Sequence, residues 1–229
     1  DGQMIEARHP GIHYGFCEVY RNLGMSNPSL QACKVAEEIH IRSPEAHYEY
    51  AQTLIATGEM KLANKSLSTA ARLAPNNAQY HYEMGMNFYY LNQYDDAEKS
   101  FQKALSVDAA DVDSAYQLAY IYAARKKENL AKQQIEKVLK IRKEHPKLQS
   151  AKLLLEYVKK EAMDKLPLRI IPHEYHVGRS KSFYKSGKYG LALIEIETAA
   201  KLKPDDLPVK EILIGLTGFL LRVNKTEKA

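Results

Sequence analysis

Three histidines recur at an interval of 34 residues: His13, His47 and His81. Imidazole is the commonest protein ligand for metals, so metal binding is the first chemistry to weigh. The interval argues against it. Equivalent residues on neighbouring packed helices lie roughly 10 Å apart, while zinc holds its nitrogen ligands at about 2.0–2.1 Å. Packing between helices is the expected role. His13 and Cys17 fall four apart on one helical face, with Cys33 further on, and make a thin case for a metal cluster. Cys17 and Cys33 also lie about equally far from Met25. A chain reversal there brings them level, either as two buried thiols or as a disulfide, which needs Cα atoms roughly 4.4–6.8 Å apart. His173 and His176 form a His-x-x-His pair at a helix start, where solvated side chains are expected. Gly178 and Gly187-Lys188 hint at a phosphate loop. The glycines are nine apart instead of about five, and Tyr189 stands where a magnesium-binding Ser or Thr is needed. Neither Gly-x-Ser-x-Gly nor His-Glu-x-x-His occurs. With no nucleophile and base converging, the expectation is a chain that is not an enzyme and takes no cofactor or metal.

The elements that must position these residues keep the same beat. His13-Tyr14, His47-Tyr48 and His81-Tyr82 are followed one period later by Ala115-Tyr116. Leu54, Phe88 and Tyr122 form a second series, and Ala63, Ala97 and Ala131 a third. Leu67, Phe101 and Ile135 continue it, as do Ala70, Ala104 and Val138. Within one unit, Met84, Gly85, Phe88 and Leu91 share a helical face, and Ala97, Phe101, Ala104 and Leu105 share another. A polar turn over 92–96 separates them, and Pro75-Asn76-Asn77 closes the unit before. Each unit is thus two antiparallel helices. One such hairpin cannot bury both apolar faces, so units must stack.

These residues resemble the tetratricopeptide repeat. In 44–77 the pattern falls on Tyr50, Ala51, Leu54, Gly58, Ala63, Leu67, Ala70 and Pro75. In 78–111 it falls on Met84, Gly85, Phe88, Tyr94, Ala97, Phe101 and Ala104, and in 112–145 on Leu118, Ala119, Tyr122, Ala131, Ile135 and Val138. Ala51, Gly85 and Ala119 are expected to face Ala63, Ala97 and Ala131 where the helices cross closest. The unit 10–43 follows more loosely, with Phe16, Cys17, Tyr20 and Gly24 on its first helix. Its turn, Met25 to Ser29, reads as about three residues longer than usual. A late hairpin carries Phe183, Gly187, Tyr189, Ala192, Ile196, Ala199 and Pro204, with Arg179 at a place that is normally apolar.

The expected layout is a tail over 1–9, then repeats and a following helix over 10–163. A proline-containing connection over 164–172 leads to a further hairpin and a terminal apolar helix over 173–229. The resemblance implies an all-α fold, a right-handed superhelix or α-solenoid of antiparallel helical hairpins. It implies a non-enzymatic scaffold or adaptor for protein partners.

With 229 residues, 45% hydrophobic and 27% charged, the chain is neither wholly disordered nor collagen-like. No apolar run reaches the ~20 residues of a bilayer crossing. The longest, Ile212 to Leu221, is broken by Thr217. The chain opens with Asp1 and not Met, which leaves room for a removed leader, so the compartment stays open. Residues 1–124 hold 9 Lys and Arg against 15 Asp and Glu, a net of −6; residues 125–229 hold 24 against 13, a net of +11. A basic half raises nucleic-acid binding. The aromatics that would stack on bases sit in the acidic half, however, so nucleic-acid binding through the basic C-terminal half stands only as an alternative to a protein partner. The opposite charges of the halves, and the terminal helix, suggest self-assembly as a further alternative to binding another protein.

The tyrosines give the candidate site. Tyr14, Tyr48, Tyr82 and Tyr116 share one phase, different from that of the core series. They must form a stripe, with Met86, Tyr89, Tyr90 and Tyr120 on the same side of the first helices. In tetratricopeptide domains the first helices line a concave groove, and the resemblance turns this stripe into it. Glu45 and Asp113 lie at its edge in the same register. The expected ligand is a peptide segment or protein with Lys or Arg beside apolar anchors.

Overall fold

The computed structural model describes residues 10–141, 145, 147–166 and 171–226. The tail over 1–9, the stretch 167–170 of the connection and the His13 side chain lie outside the described residues. Twelve α-helices and no strand occur among the described residues. They are α1 (Pro10–Asn22), α2 (Ser26–Ile39), α3 (Pro44–Ala56), α4 (Met60–Leu73), α5 (Ala78–Tyr90) and α6 (Tyr94–Val107). After them come α7 (Val112–Ala124), α8 (Glu128–Ile141), α9 (Lys147–Lys159), α10 (Pro172–Lys185), α11 (Tyr189–Leu202) and α12 (Leu207–Thr226). A single 3-10 turn, Met163–Lys165, follows α9.

The 34-residue period has a physical cause at each joint. Helix starts are capped at Ser43, Asn77 and Asp111, whose side-chain oxygens accept from Ala46, Gln79 and Asp113 backbone N–H groups. The turns inside the hairpins place Gly24, Gly58, Asn92 and Lys126 at positive φ. His47 Nε2 lies 3.0 Å from the Ile41 carbonyl oxygen and His81 Nε2 3.0 Å from that of Pro75, six residues back in both cases. His47 and His81 therefore tie α3 and α5 to the linkers before them. Ala63, Leu67 and Ala70, Ala97, Phe101 and Ala104, and Ala131, Ile135 and Val138 are all fully buried. A buried Leu, Ile or Phe among them contributes roughly 1.5–3 kcal/mol by transfer from water.

Several details correct or complete the reading above. The Gly85 backbone makes room for a larger residue than Ala97: a Cβ there would stand 2.7 Å from the Phe101 ring. The turn after α1 is short, because Asn27 and Pro28 belong to the first turn of α2, where proline is tolerated. Phe16 is 53% exposed and stacks on Tyr20 instead of entering the core. Cys17 and Cys33 are joined as a disulfide, with Cα atoms 4.8 Å apart, both buried beside Thr53.

The compact units do not follow the order of the chain. One, the split unit, gathers the described residues of 1–73 and 171–229, and the other, the middle unit, those of 74–170. In the split unit α11 packs on α10 and α12 and also on α1 and α3. Leu191 to Ile196 are buried without interruption because α11 is covered on every side. Thr198 Oγ1 donates to the Ala56 carbonyl at 2.7 Å. A Cβ at Gly190 would fall 2.1 Å from the Asn22 carbonyl oxygen, so only glycine lets the two backbones meet. Glu195 is fully buried within this packing. His176 Nδ1 and Arg179 Nε each lie 2.6 Å from its carboxylate. Arg179 thus stands at an apolar place because it neutralises a buried charge, and His176 is buried for the same reason instead of solvated.

Candidate functional site

The predicted stripe divides between the units. Tyr14, Tyr48 and Glu45 belong to the split unit, and the other seven residues to the middle unit.

In the split unit the Tyr14 hydroxyl donates to Ser43 Oγ, which in turn lies 2.8 Å from Glu45 Oε2. The Tyr14 ring meets His40 edge to face at 5.7 Å. Tyr48 is half-buried on α3. Tyr14 and Glu45, 31 positions apart in sequence, are thereby linked through a capping serine beside a shallow cleft with Ile41 and Arg42.

In the middle unit, α5, α7 and α9 each contribute. Tyr82, Met86, Tyr116 and Tyr120 are half-buried and rest on the core of Phe101, Leu118, Ala119 and Leu154. Tyr82 meets the Phe101 ring at 5.9 Å. Tyr90 is half-buried as well. Tyr89 is different: it is 7% exposed and packs edge to face on Tyr94 at 5.6 Å. It belongs to the core that carries the stripe and not to the accessible wall. Burial, reinforced by the Tyr120, Tyr94 and Tyr116 phenols, pushes its pKa far above the usual phenol value. Burial also raises Tyr116, against a hydrogen bond with Ser150 that lowers it. Tyr120 is raised by burial first and by the Tyr116 and Tyr157 phenols after it.

Asp113 and Tyr116 lie one helical turn apart on α7 and receive a cation from α9. Lys147 Nζ sits 4.9 Å from the Tyr116 ring centre and 4.0 Å from Asp113 Oδ1. Lys147 and Ser150 were not among the residues anticipated. The signal for them was present: they stand one 34-residue period after Asp113 and Tyr116. Glu45 and Tyr48, then Gln79 and Tyr82, occupy the same two places in earlier repeats. Among the described residues no group of three His, Cys, Asp or Glu side chains could hold a metal ion, and no helix is long and apolar enough to cross a membrane.

Comparison with known proteins bears on the fold. Residues 44–77, 78–111 and 112–145 each match the tetratricopeptide repeat. No curated protein matches the chain by sequence. A tetratricopeptide repeat protein from Parabacteroides merdae superposes with a TM-score of 0.58, over 91% of this chain and 84% of its own, at 15% identity. YrrB, described as a TPR protein with an unusual peptide-binding site, gives 0.56 over 92% and 95% at 16% identity. MamA gives 0.52 over 70% and 86% at 17% identity. At these identities the likeness speaks for the helical solenoid alone. Three consecutive matched units, whose caps and turns repeat in the same register, make 44–145 an array of tetratricopeptide repeats.

Proposed function

We infer that this chain is a protein-interaction scaffold, and that the tyrosine wall of its middle unit holds a partner segment with Lys or Arg beside apolar side chains. The observation that carries the finer reading is Lys147 over Tyr116 with Asp113 beside it. The chain's own lysine uses the cation–π contact that a ligand's lysine would use over Tyr82 one period earlier in the register, where Gln79 stands in place of the carboxylate. Tyr82, Met86, Tyr90 and Tyr120 supply flat apolar area at low side-chain entropy cost, which suits contact without one fixed sequence.

The test is anisotropy of two labelled synthetic peptides against the full chain, one alternating Lys with Leu and Phe, the other Glu with Leu and Phe. The basic peptide should bind. Tyr90→Ala with Tyr120→Ala should weaken it by about thirtyfold, a hot-spot loss of ~2 kcal/mol. Equal binding of wild type and double variant sinks the reading, as does a wall that ignores the basic peptide.

A further inference from the structure

A second cleft lies wholly inside the split unit, between α10 and α12, and has a volume of about 480 Å³. Its floor is apolar: Ile212, Leu216 and Phe219 from α12 and the Tyr184 ring from α10. Its walls are held firmly. Ile212 and Leu216 pack into the same core as Val177, Phe183 and Val209, and Tyr184, Tyr189 and Phe219 form a ring cluster with centroids 4.7–6.5 Å apart. Its rim is cationic on both sides. Lys181 and Lys185 rise from α10 and Arg222 from α12, the last with Nε held by the Gly218 carbonyl at 3.1 Å. No Asp or Glu is among the lining residues.

Gly215 gives the cleft a direction. It lies inside α12, at a φ that any residue adopts, and a Cβ built on it would meet nothing within 4 Å. A glycine in a helix interior is destabilising relative to alanine. Gly24, Gly58, Gly85 and Gly190 each answer to a turn or to a close neighbour, whereas Gly215 and its neighbour on α12, Gly218, like Gly15 and Gly178 on other helices, meet nothing within 4 Å; of these four only Gly215 lines the cleft. Nothing in the described chain asks for glycine at 215. What a missing side chain gains there is access: a second backbone can come down onto α12 at the mouth of an apolar cleft.

We propose that this cleft is a docking site for an amphipathic helical segment of a partner protein, with apolar side chains flanked by Asp and Glu. The apolar side chains enter over Leu216 and Phe219, the partner backbone crosses at Gly215, and its carboxylates face Lys181, Lys185 and Arg222. This is helix-in-groove recognition with charge complementarity at the rim. It is independent of the tyrosine wall and has the opposite charge preference.

The experiment uses the same two peptides with the full chain, each extended to favour helix. The Glu-flanked peptide should bind and gain helical circular dichroism. Gly215→Leu fills the mouth and favours the helix, so it should weaken binding by about tenfold or more without lowering the melting temperature. Lys181→Glu with Lys185→Glu should do the same, and Tyr90→Ala with Tyr120→Ala should leave this binding unchanged. Undiminished binding to Gly215→Leu overturns the proposal. So does a Glu-flanked peptide that fails to bind the wild type, or whose binding the two lysine substitutions do not weaken. Self-association lost in Gly215→Leu, or binding to anionic lipid vesicles, in either case with no peptide binding, assigns the cleft to another occupant and also overturns it.

Discussion

Lys147 stands over the Tyr116 ring, its Nζ 4.9 Å from the ring centre, and both residues are placed by the repeat period itself. Asp113 completes the pair at 4.0 Å. The last repeat of the middle unit is thereby filled from within, by the residue that occupies the Asp113 register one period on. Lys147→Gln should vacate that place. We expect a basic apolar peptide to bind several-fold more tightly to the variant. The loss in stability should be about 0.5–1 kcal/mol, the worth of an exposed cation–π contact. A titration in which Lys147→Gln binds no better than wild type would show that the Asp113–Tyr116 pair is closed to ligands.

Gly24 and Gly187 share a φ of +74° but differ in surroundings. A Cβ on Gly187 meets nothing within 4 Å, whereas one on Gly24 falls 2.7 Å from Leu193 Cδ2. Gly187→Ala should therefore cost only the left-handed backbone penalty, about 1 kcal/mol. Gly24→Ala adds overpacking against α11 and should cost about 2–4 kcal/mol in all. Equal losses in urea melts of the two variants would mean that α11 is not seated against the first hairpin in solution.

Much of the hairpin architecture was legible because helix period, caps and turns repeat in one register. Ala97, Phe101 and Ala104 are buried as their spacing required. The seat of α11 was not legible. A run such as Leu191 to Ile196 shows that a helix is covered all round but not by what. The partners, Asn22 and Ala56, are backbone carbonyls with no sequence signature. Arg179 looked out of place and His176 looked solvated for the same reason: their partner Glu195 reads as an ordinary helix residue until burial is known. In the candidate site the half-buried Tyr82, Tyr116 and Tyr120 follow from their common face. Tyr89 shows the limit of that argument, since a residue near the edge of a face can turn to either side.

The Cys17–Cys33 disulfide closes a loop of 16 residues across the α1–α2 hairpin. Constraining a loop of that length removes unfolded-chain entropy worth roughly 3 kcal/mol. Cys17→Ser with Cys33→Ser should lower the stability of the split unit by about that amount. Reducing agent should destabilise the wild type equally and leave the double variant untouched. Identical melts of wild type with and without reductant, once reduction is verified by mass, would remove the disulfide from the account of stability.

The Tyr89 phenol makes the middle unit sensitive to alkali. Burial raises its pKa above the ordinary value of 10.0, and Tyr116 and Tyr120 are raised for the same first cause. As pH passes about 10, the unfolded chain releases these protons while the folded chain keeps them. The unfolded state then binds fewer protons, so stability falls as pH rises, by up to about 1.4 kcal/mol per pH unit for each phenol in that window. Below the ordinary phenol value their contribution is fully present and flat. Tyr89→Phe keeps the ring in the core and removes the titration, so the decline should become shallower even though the variant resembles wild type near neutral pH. Amide exchange of α5 and α7, followed from neutral to strongly alkaline solution, reads this directly. A Tyr89→Phe profile that parallels wild type through pH 10 and above would mean that the phenol is hydrated in solution and that Tyr89 belongs to the accessible wall after all.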